Sequence, residues 1–375
     1  MMAPHAGLER RVIAALEATP PRIPVMLGGC GTGRTTALHS LVDRLGREDC
    51  QYIDVERAAS TPERFFGAVT TASPFAEGVA AETPGSAREA FDHTLSYFAR
   101  ARVEHRPATF LLDEVLELRT FESFPGLRHV LREMLQSFQE SGNRFVLTSR
   151  YVARMHRLLG DGAAPFEVIH LPALSANEVT AMLPPMGESG TEDRNFLGRT
   201  IQVLADGRAS YVRAISEAAA GLSGRPGDPI SALTALLTSD GALTAWCGYR
   251  YELRLHRARG YGALKAILEI LADDEPLTLT QIALRLHRTP GSTKDYLSWL
   301  EDVDLVVSRQ KRYSFSDPLL RLWVRLHCRP VPPGVDEVAR EVQSYALSRL
   351  PVAEPSMAMA GAGAERKGWG IIEID

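Results

Sequence analysis

Four cysteines in 375 residues, at positions 30, 50, 247 and 328, lie too far apart for any Cys-x-x-Cys pair. That spacing excludes a zinc ribbon and a disulfide-stapled scaffold, and reads as scattered thiols of a reducing compartment. Long hydrophobic runs are missing too. None approaches the roughly 20 apolar residues that span a bilayer, and the first residues hold no signal-peptide core. A cytoplasmic chain without membrane contact is expected. Nor is there an excess of charge of one sign. The net charge is -4, so any nucleic-acid contact must be a local basic patch. What remains is ordinary for a globular protein, 45% hydrophobic and 23% charged, and the length allows two or three domains with substantial cores.

One segment carries the chemistry. Gly28-Gly29-Cys30-Gly31-Thr32-Gly33-Arg34-Thr35-Thr36 follows an apolar run, Ile23-Pro24-Val25-Met26-Leu27, and opens a helical pattern. It fits the phosphate-loop template G-x-x-x-x-G-K-[ST] at every fixed position except one, where Arg34 replaces Lys. In such a loop, glycines let successive backbone N–H groups turn inward around a phosphate, and the helix adds its positive dipole end. Residues 28–36 are therefore the expected ATP site, with the Thr35 hydroxyl on Mg²⁺. Arg34 alters the chemistry. A guanidinium is wider, planar and permanently charged. It can still hold phosphate oxygens in a bidentate way, but γ-phosphoryl transfer is sensitive to small displacements. ATP binding is expected, and two outcomes stay open for hydrolysis: an ATPase of ordinary rate, or one that is slow or inactive.

The first 170 residues alternate short apolar runs with helical patterns, which predicts an α/β domain: a parallel sheet with helices on both faces. Strands are expected near 24–28, 51–54, 109–113, 144–148 and 166–170. Helices are expected at 8–16, 35–45, 61–69, 87–101, 124–139 and 151–159, with a Pro/Gly-rich surface excursion at 73–86. Thr109-Phe110-Leu111-Leu112-Asp113-Glu114 is an apolar strand ending in two acids at the sheet edge that faces the phosphate loop. Asp113 is placed to hold Mg²⁺ through its water shell, and Glu114 to orient or deprotonate the attacking water. Phe145-Val146-Leu147-Thr148-Ser149-Arg150 ends similarly. Thr148 is placed for the γ-phosphate or the lytic water, and Arg150 to sense the γ-phosphate or to reach a neighbouring subunit in a homo-oligomer.

That order resembles the AAA+/STAND group of P-loop ATPases. The resemblance implies that Glu114 is the catalytic glutamate and Thr148 the first sensor. Leu171-Pro172-Ala173-Leu174-Ser175-Ala176-Asn177-Glu178 resembles the start of that group's helical lid, expected over 171–221. Within Leu204-Ala205-Asp206-Gly207-Arg208-Ala209-Ser210-Tyr211-Val212, Arg208 resembles a second-sensor arginine, with Arg213 one turn on as its rival. A linker is expected at 222–230.

The third unit, 231–330, opens with an apolar stripe Leu264, Ile267, Leu268 and Leu271. A Thr-capped helix at 277–283 follows, then one at 292–301. Next come two short strands around the basic turn Arg309-Gln310-Lys311-Arg312. Three helices and a hairpin describe a winged helix. With Asp317-Pro318 and Leu319-Leu320-Arg321-Leu322-Trp323, it resembles the C-terminal unit of the archaeal-type STAND ATPase family. Lys294, Ser292, Thr293 and the basic turn support DNA contact through phosphates. Asp295, Glu301, Asp302 and Asp304 support a protein-binding module instead. A C-terminal helix at 331–350 is expected, then a low-complexity tail (351–375) whose apolar tip, from Trp369, is a candidate docking peptide for a protein partner. The reading is a P-loop NTPase sheet with a helical lid and a winged helix. It would be an ATP- and Mg²⁺-dependent switch, acting on DNA or, without hydrolysis, on a protein.

Overall fold

The computed structural model describes residues 6–75, 83–160, 165–183, 191–220 and 227–350. Most of the expected linker, the middle of the 73–86 excursion and the whole tail with its tip lie outside the described residues.

The sheet is built from strands buried on both faces, which is why they read as apolar runs. β1 (Ile23–Leu27) is buried at every position. β2 (Cys50–Asp54) follows, then a small antiparallel pair, β3 (Arg102–Val103) and β4 (Arg106–Pro107). β5 (Thr109–Asp113), β6 (Arg144–Ser149) and β7 (Phe166–His170) complete the set. The five long strands run parallel in the order β2-β5-β6-β1-β7. Pro24, which lacks an N–H, precedes the β1–β6 pairing; that pairing starts at Val25, so no rung there loses a donor. Side chains alternate between faces. Met26, Leu111 and Val146 pack beneath Leu8, Val12, Leu38 and Leu41 on one side. On the other, Phe110 and Phe145 stack at 5.5 Å, and Phe138 lies 4.0 Å from Phe145.

Helices α1 (Ala6–Glu17), α2 (Arg34–Leu45), α3 (Val55–Ala58), α4 (Pro62–Thr71), α5 (Ala87–Arg100), α6 (Val130–Glu140) and α7 (Val152–Leu159) connect the strands. One helix differs from expectation. Residues 124–129 are not helical; a 3-10 helix covers Val115–Ser123 and α6 starts at Val130. Pro125 and Gly126, the latter at φ 80, break the pattern between them,.

The segment expected as a lid comprises α8 (Ala176–Met182), α9 (Thr191–Leu204) and α10 (Ala209–Ala220). α8 starts with a reciprocal cap between Ser175 and Glu178, satisfying two orphan donors. α11 (Pro229–Leu236) packs on α10, and α12 (Ala242–Arg257) crosses to the last unit. There α13 (Tyr261–Asp273), β8 (Leu277–Thr278), α14 (Leu279–Leu286), α15 (Pro290–Asp302), β9 (Val306–Arg309) and β10 (Arg312–Phe315) take the winged-helix order, with a β8-β10-β9 sheet. α16 (Pro318–His327) and α17 (Val335–Leu347) close it. Asp317 caps α16 through the Leu319 and Leu320 N–H groups and accepts the Tyr211 hydroxyl of α10 at 2.8 Å, joining lid to winged helix. Among the described residues no helix is long and apolar enough to cross a membrane.

The lid joint between α9 and α10 turns at Gly207, φ 62, where an added Cβ would lie 2.8 Å from the Leu174 carbonyl oxygen and 2.9 Å from its nitrogen. Neither backbone atom can step aside cheaply. Gly207→Ala should therefore cost about 2 kcal/mol of folding stability, read as a lower urea midpoint. A loss below about 0.5 kcal/mol, the scatter of ordinary surface changes, would contradict this packing.

Candidate nucleotide site

Parallel register brings the ends of β1, β2, β5 and β6 level, with Asp54 opposite Asp113 and Leu27 opposite Ser149. The phosphate-type loop, the acid pair and Arg150 thus share the carboxyl edge of the sheet, where ligands gather. α2 begins at Arg34, with Gly33 before it at φ 99, a conformation open to glycine without strain.

Arg34 does not reach outward. The residue is 7% exposed and its side chain curls back into the loop. Nη1 donates to the carbonyl oxygens of Gly28 and Gly29, the latter at 2.5 Å. Nη2 donates to Glu114 Oε1 at 2.5 Å. The Arg34 Nε is buried without a hydrogen-bond partner. The other oxygen of Glu114 accepts the Arg150 backbone N–H at 3.0 Å and lies 3.2 Å from the Arg150 Nε. Burial alone would raise the Glu114 carboxyl, but the guanidinium groups of Arg34 and Arg150 outweigh it and hold the group down at about 2. A carboxylate so stabilised is a poor proton acceptor near neutral pH.

The charge chain continues away from the loop. Arg150 pairs with Glu56 and lies 3.7 Å from Glu117. Arg257 of α12 pairs with Glu117 and lies 3.7 Å from Glu56.

Asp113 is held by hydroxyls. Thr35 Oγ1 donates to Oδ2 at 2.6 Å, the Tyr52 hydroxyl donates to the same oxygen at 3.2 Å, and Thr148 donates to Oδ1. Thr148 also accepts the Glu114 N–H at 3.0 Å. Its hydroxyl thus orients the acid pair. Arg208 turns to the outer side of the loop, donating to the Cys30 carbonyl at 2.9 Å and the Ser316 carbonyl at 2.5 Å.

A cavity of about 310 Å³ opens on this edge. The loop lines it with Cys30, Gly31, Gly33, Arg34, Thr35 and Thr36, alongside Asp113, Glu114 and Arg150. Gly28, Gly29, Thr32, Thr148 and Arg208 stand behind that wall, whereas Arg213, the rival to Arg208, is part of it. Sequence reasoning passed over Tyr52, Asp54, Glu56, Ser210 and Arg250, which also line the cavity. Asp54 and Glu56 sit at or just past the end of β2, so the sheet-edge rule could have found them, whereas Tyr52 lies mid-strand. Arg250 lies on α12 and had no local signal.

No protein-family model matches the sequence, and no curated protein does. Among solved structures, the Walker-type ATPase PABY2304 of Pyrococcus abyssi is 16% identical and aligns over 86% of this chain and 96% of its own, with a TM-score of 0.64. The chain shares that structure's fold, an α/β P-loop NTPase fold with a five-stranded parallel sheet. Orc1 of Aeropyrum pernix, solved in complex with DNA, aligns at 19% identity over 93% of this chain and 95% of its own, TM-score 0.44. Cdc6p of Pyrobaculum aerophilum aligns at 13% identity over 93% and 96%, TM-score 0.43.

In this fold the Arg34–Glu114 pair is buried, with side chains 8% and 9% exposed. Removing the carboxylate charge leaves two guanidinium groups short of their counter-charge, so Glu114→Gln should cost about 3 kcal/mol in urea unfolding. The folded pKa of Glu114 lies below its unfolded value near 4.3. The pair's contribution is thus present above about pH 4.3 and lost as pH falls toward 2. Equal stability of variant and parent at neutral pH would show that the pair adds nothing net.

Proposed function

We propose that the chain is an ATP-binding switch whose trigger is the transfer of Arg34 from Glu114 to nucleotide phosphate. The observation that carries this reading is the buried, mutually exclusive engagement of Arg34. It cannot hold Glu114 and the loop carbonyls while also gripping a phosphate.

The residues suit Mg-ATP. Thr35 Oγ1 and Asp113 Oδ2 are hard oxygen donors 2.6 Å apart, of the kind that hold Mg²⁺ together with substrate phosphates. Among the described residues no three His, Cys, Asp or Glu side chains converge into a protein-only metal cage, in keeping with a metal brought in with phosphate. Bound Mg²⁺ would neutralise phosphate charge. Backbone N–H groups of the loop and the start of α2 receive the phosphate. Arg34 can grip it as a bidentate donor. Once Arg34 leaves, Glu114 loses one of two flanking cations, its pKa rises, and it becomes a better base for water. Arg150 still holds the other oxygen, so turnover is slow. That residual clamp also favours the alternative reading, an ATP-bound signalling or scaffold protein that does not hydrolyse.

The output runs through the loop's outer face. A Cβ at Gly29 would lie 2.9 Å from both Arg208 Nη1 and Asp304 Oδ2, so the winged helix rests directly on the loop. Any shift of residues 28–30 moves it. Exposed Arg309, Lys311 and Arg312 support DNA contact by that unit, and the acids of α15 support a protein partner instead. Arg150, read as a residue that could reach a second subunit, is committed here to the chain's own acids.

Calorimetry with Mg-ATP tests the trigger. Wild type should bind, Arg34→Ala should weaken binding at least tenfold, and Arg34→Lys should turn over faster, because an ammonium matches Glu114 and the loop carbonyls less well than a planar fork. Absence of heat with Mg-ATP, ADP and GTP would remove the switch.

A further inference from the structure

We infer that the groove between the ATPase sheet and the winged helix is a binding site for single-stranded nucleic acid. Two clefts, of about 590 and 390 Å³, share Leu116, Arg119, Arg154 and Asp302 and so form one continuous channel. The 3-10 helix after β5, α6 and α7 make one wall; the end of α12 and the C-terminal half of α15 make the other. This is not the nucleotide cavity, and it excludes the basic turn between β9 and β10.

Its charge is what sets it apart. Seven arginines line it against three carboxylates, Glu117, Glu122 and Asp302. Three of the arginines are matched: Arg119 by Glu122 at 3.2 Å, Arg157 by Asp302, and Arg257 by Glu117. The other four, Arg128, Arg132, Arg154 and Arg259, have no carboxylate partner among the described residues. The Arg154 Nη2 is also buried without any hydrogen-bond partner. Burying a guanidinium nitrogen unpaired is costly, and a phosphate oxygen is its natural complement.

Shape and aromatic content narrow the ligand. A small-molecule pocket is largely apolar and encloses its ligand, whereas this channel is long, open and arginine-lined. Spaced guanidinium groups along such a channel suit a chain of phosphates. Trp299 sits half-buried in the same wall as Arg259 and offers a face on which a base can stack. Only an unpaired strand presents bases in that way, and basic grooves with aromatic platforms are how single strands are held.

The experiment uses the full chain without nucleotide and a labelled oligothymidylate of about 16 nucleotides, the upper site size of one binding fold, read by anisotropy. Wild type should bind saturably and lose affinity as salt rises. R154E/R259E and R128E/R132E should each weaken binding at least tenfold, and Trp299→Ala about fivefold or more, the range for one lost stack. Arg64→Glu, exposed on α4 and outside the groove's lining, should bind as wild type does. If a Glu variant fails to fold, Gln at the same positions removes the charge and should weaken binding in the same direction. Three results would each overturn the assignment: no binding by wild type, loss confined to an R309E/K311E variant of the wing, or displacement by polyglutamate as effective as by unlabelled oligonucleotide. The last would assign the groove to an acidic protein segment. Because no nucleotide is present, this outcome is independent of the Mg-ATP calorimetry above.

Discussion

A single guanidinium, Arg34, bridges the phosphate loop's own carbonyl groups and the carboxylate that follows β5. Much of the site's arrangement follows from that bridge. It draws the loop toward the acid pair and depresses the Glu114 pKa. It also fills the space that a phosphate would claim. The same pair therefore stabilises the fold and opposes the chemistry. A buried ion pair is a weak source of net stability, because desolvation offsets most of the attraction, yet losing one partner is expensive. A ligand able to replace the lost partner can use that asymmetry. In the proposed switch, phosphate is that ligand for Arg34.

The second half of the structure is built onto this pair rather than beside it. Arg208 ties the Cys30 carbonyl to Ser316, and Arg254 donates to the Asp304 carbonyl at 3.0 Å. Arg257 extends the alternating charges from Glu114 through Arg150 and Glu117 to α12. Each link is a charge-assisted contact, and those around Glu114 are buried, so they are stiffer than a surface pair. The loop, the lid and the winged helix consequently share one electrostatic framework.

Most of the local architecture was legible in the sequence. The five long strands lie within a residue or two of where apolar runs ending in polar groups placed them, because strands buried on both faces must be apolar throughout. The caps at Ser175 and Thr278 were visible for the same kind of local reason: each satisfies its own helix's first donors. What the sequence hid is non-local. The helix expected from Phe124 lost its first turn to a glycine at positive φ, and the 3-10 segment before it has no clear periodicity. Between Arg208 and Arg213 the sequence left a tie, since both lie near the start of one helix. Packing against Ser316, more than a hundred residues on, turned Arg208 away from the cavity and left Arg213 on its wall. Arg250, Arg254 and Arg257 read as one face of an ordinary helix. Arg250 lines the cavity only because α12 folds back over the loop, whereas Arg254 reaches the Asp304 carbonyl and Arg257 the Glu117 carboxylate.

The exchange of Lys for Arg at position 34 then acquires a physical reason. An ammonium is a compact point charge with three donors, while a guanidinium spreads five donors over a rigid plane. Contacting the carbonyls of Gly28 and Gly29 from one nitrogen and Glu114 from another needs that width. A lysine could satisfy one side of the bridge but not both, and would leave Glu114 less strongly depressed. Arginine thus deepens the resting state, and the nucleotide must supply more interaction energy to leave it. In the proposed switch, such a site would discriminate by occupancy of both phosphate and metal positions rather than by speed of turnover. That is the balance expected where holding a nucleotide matters more than consuming it.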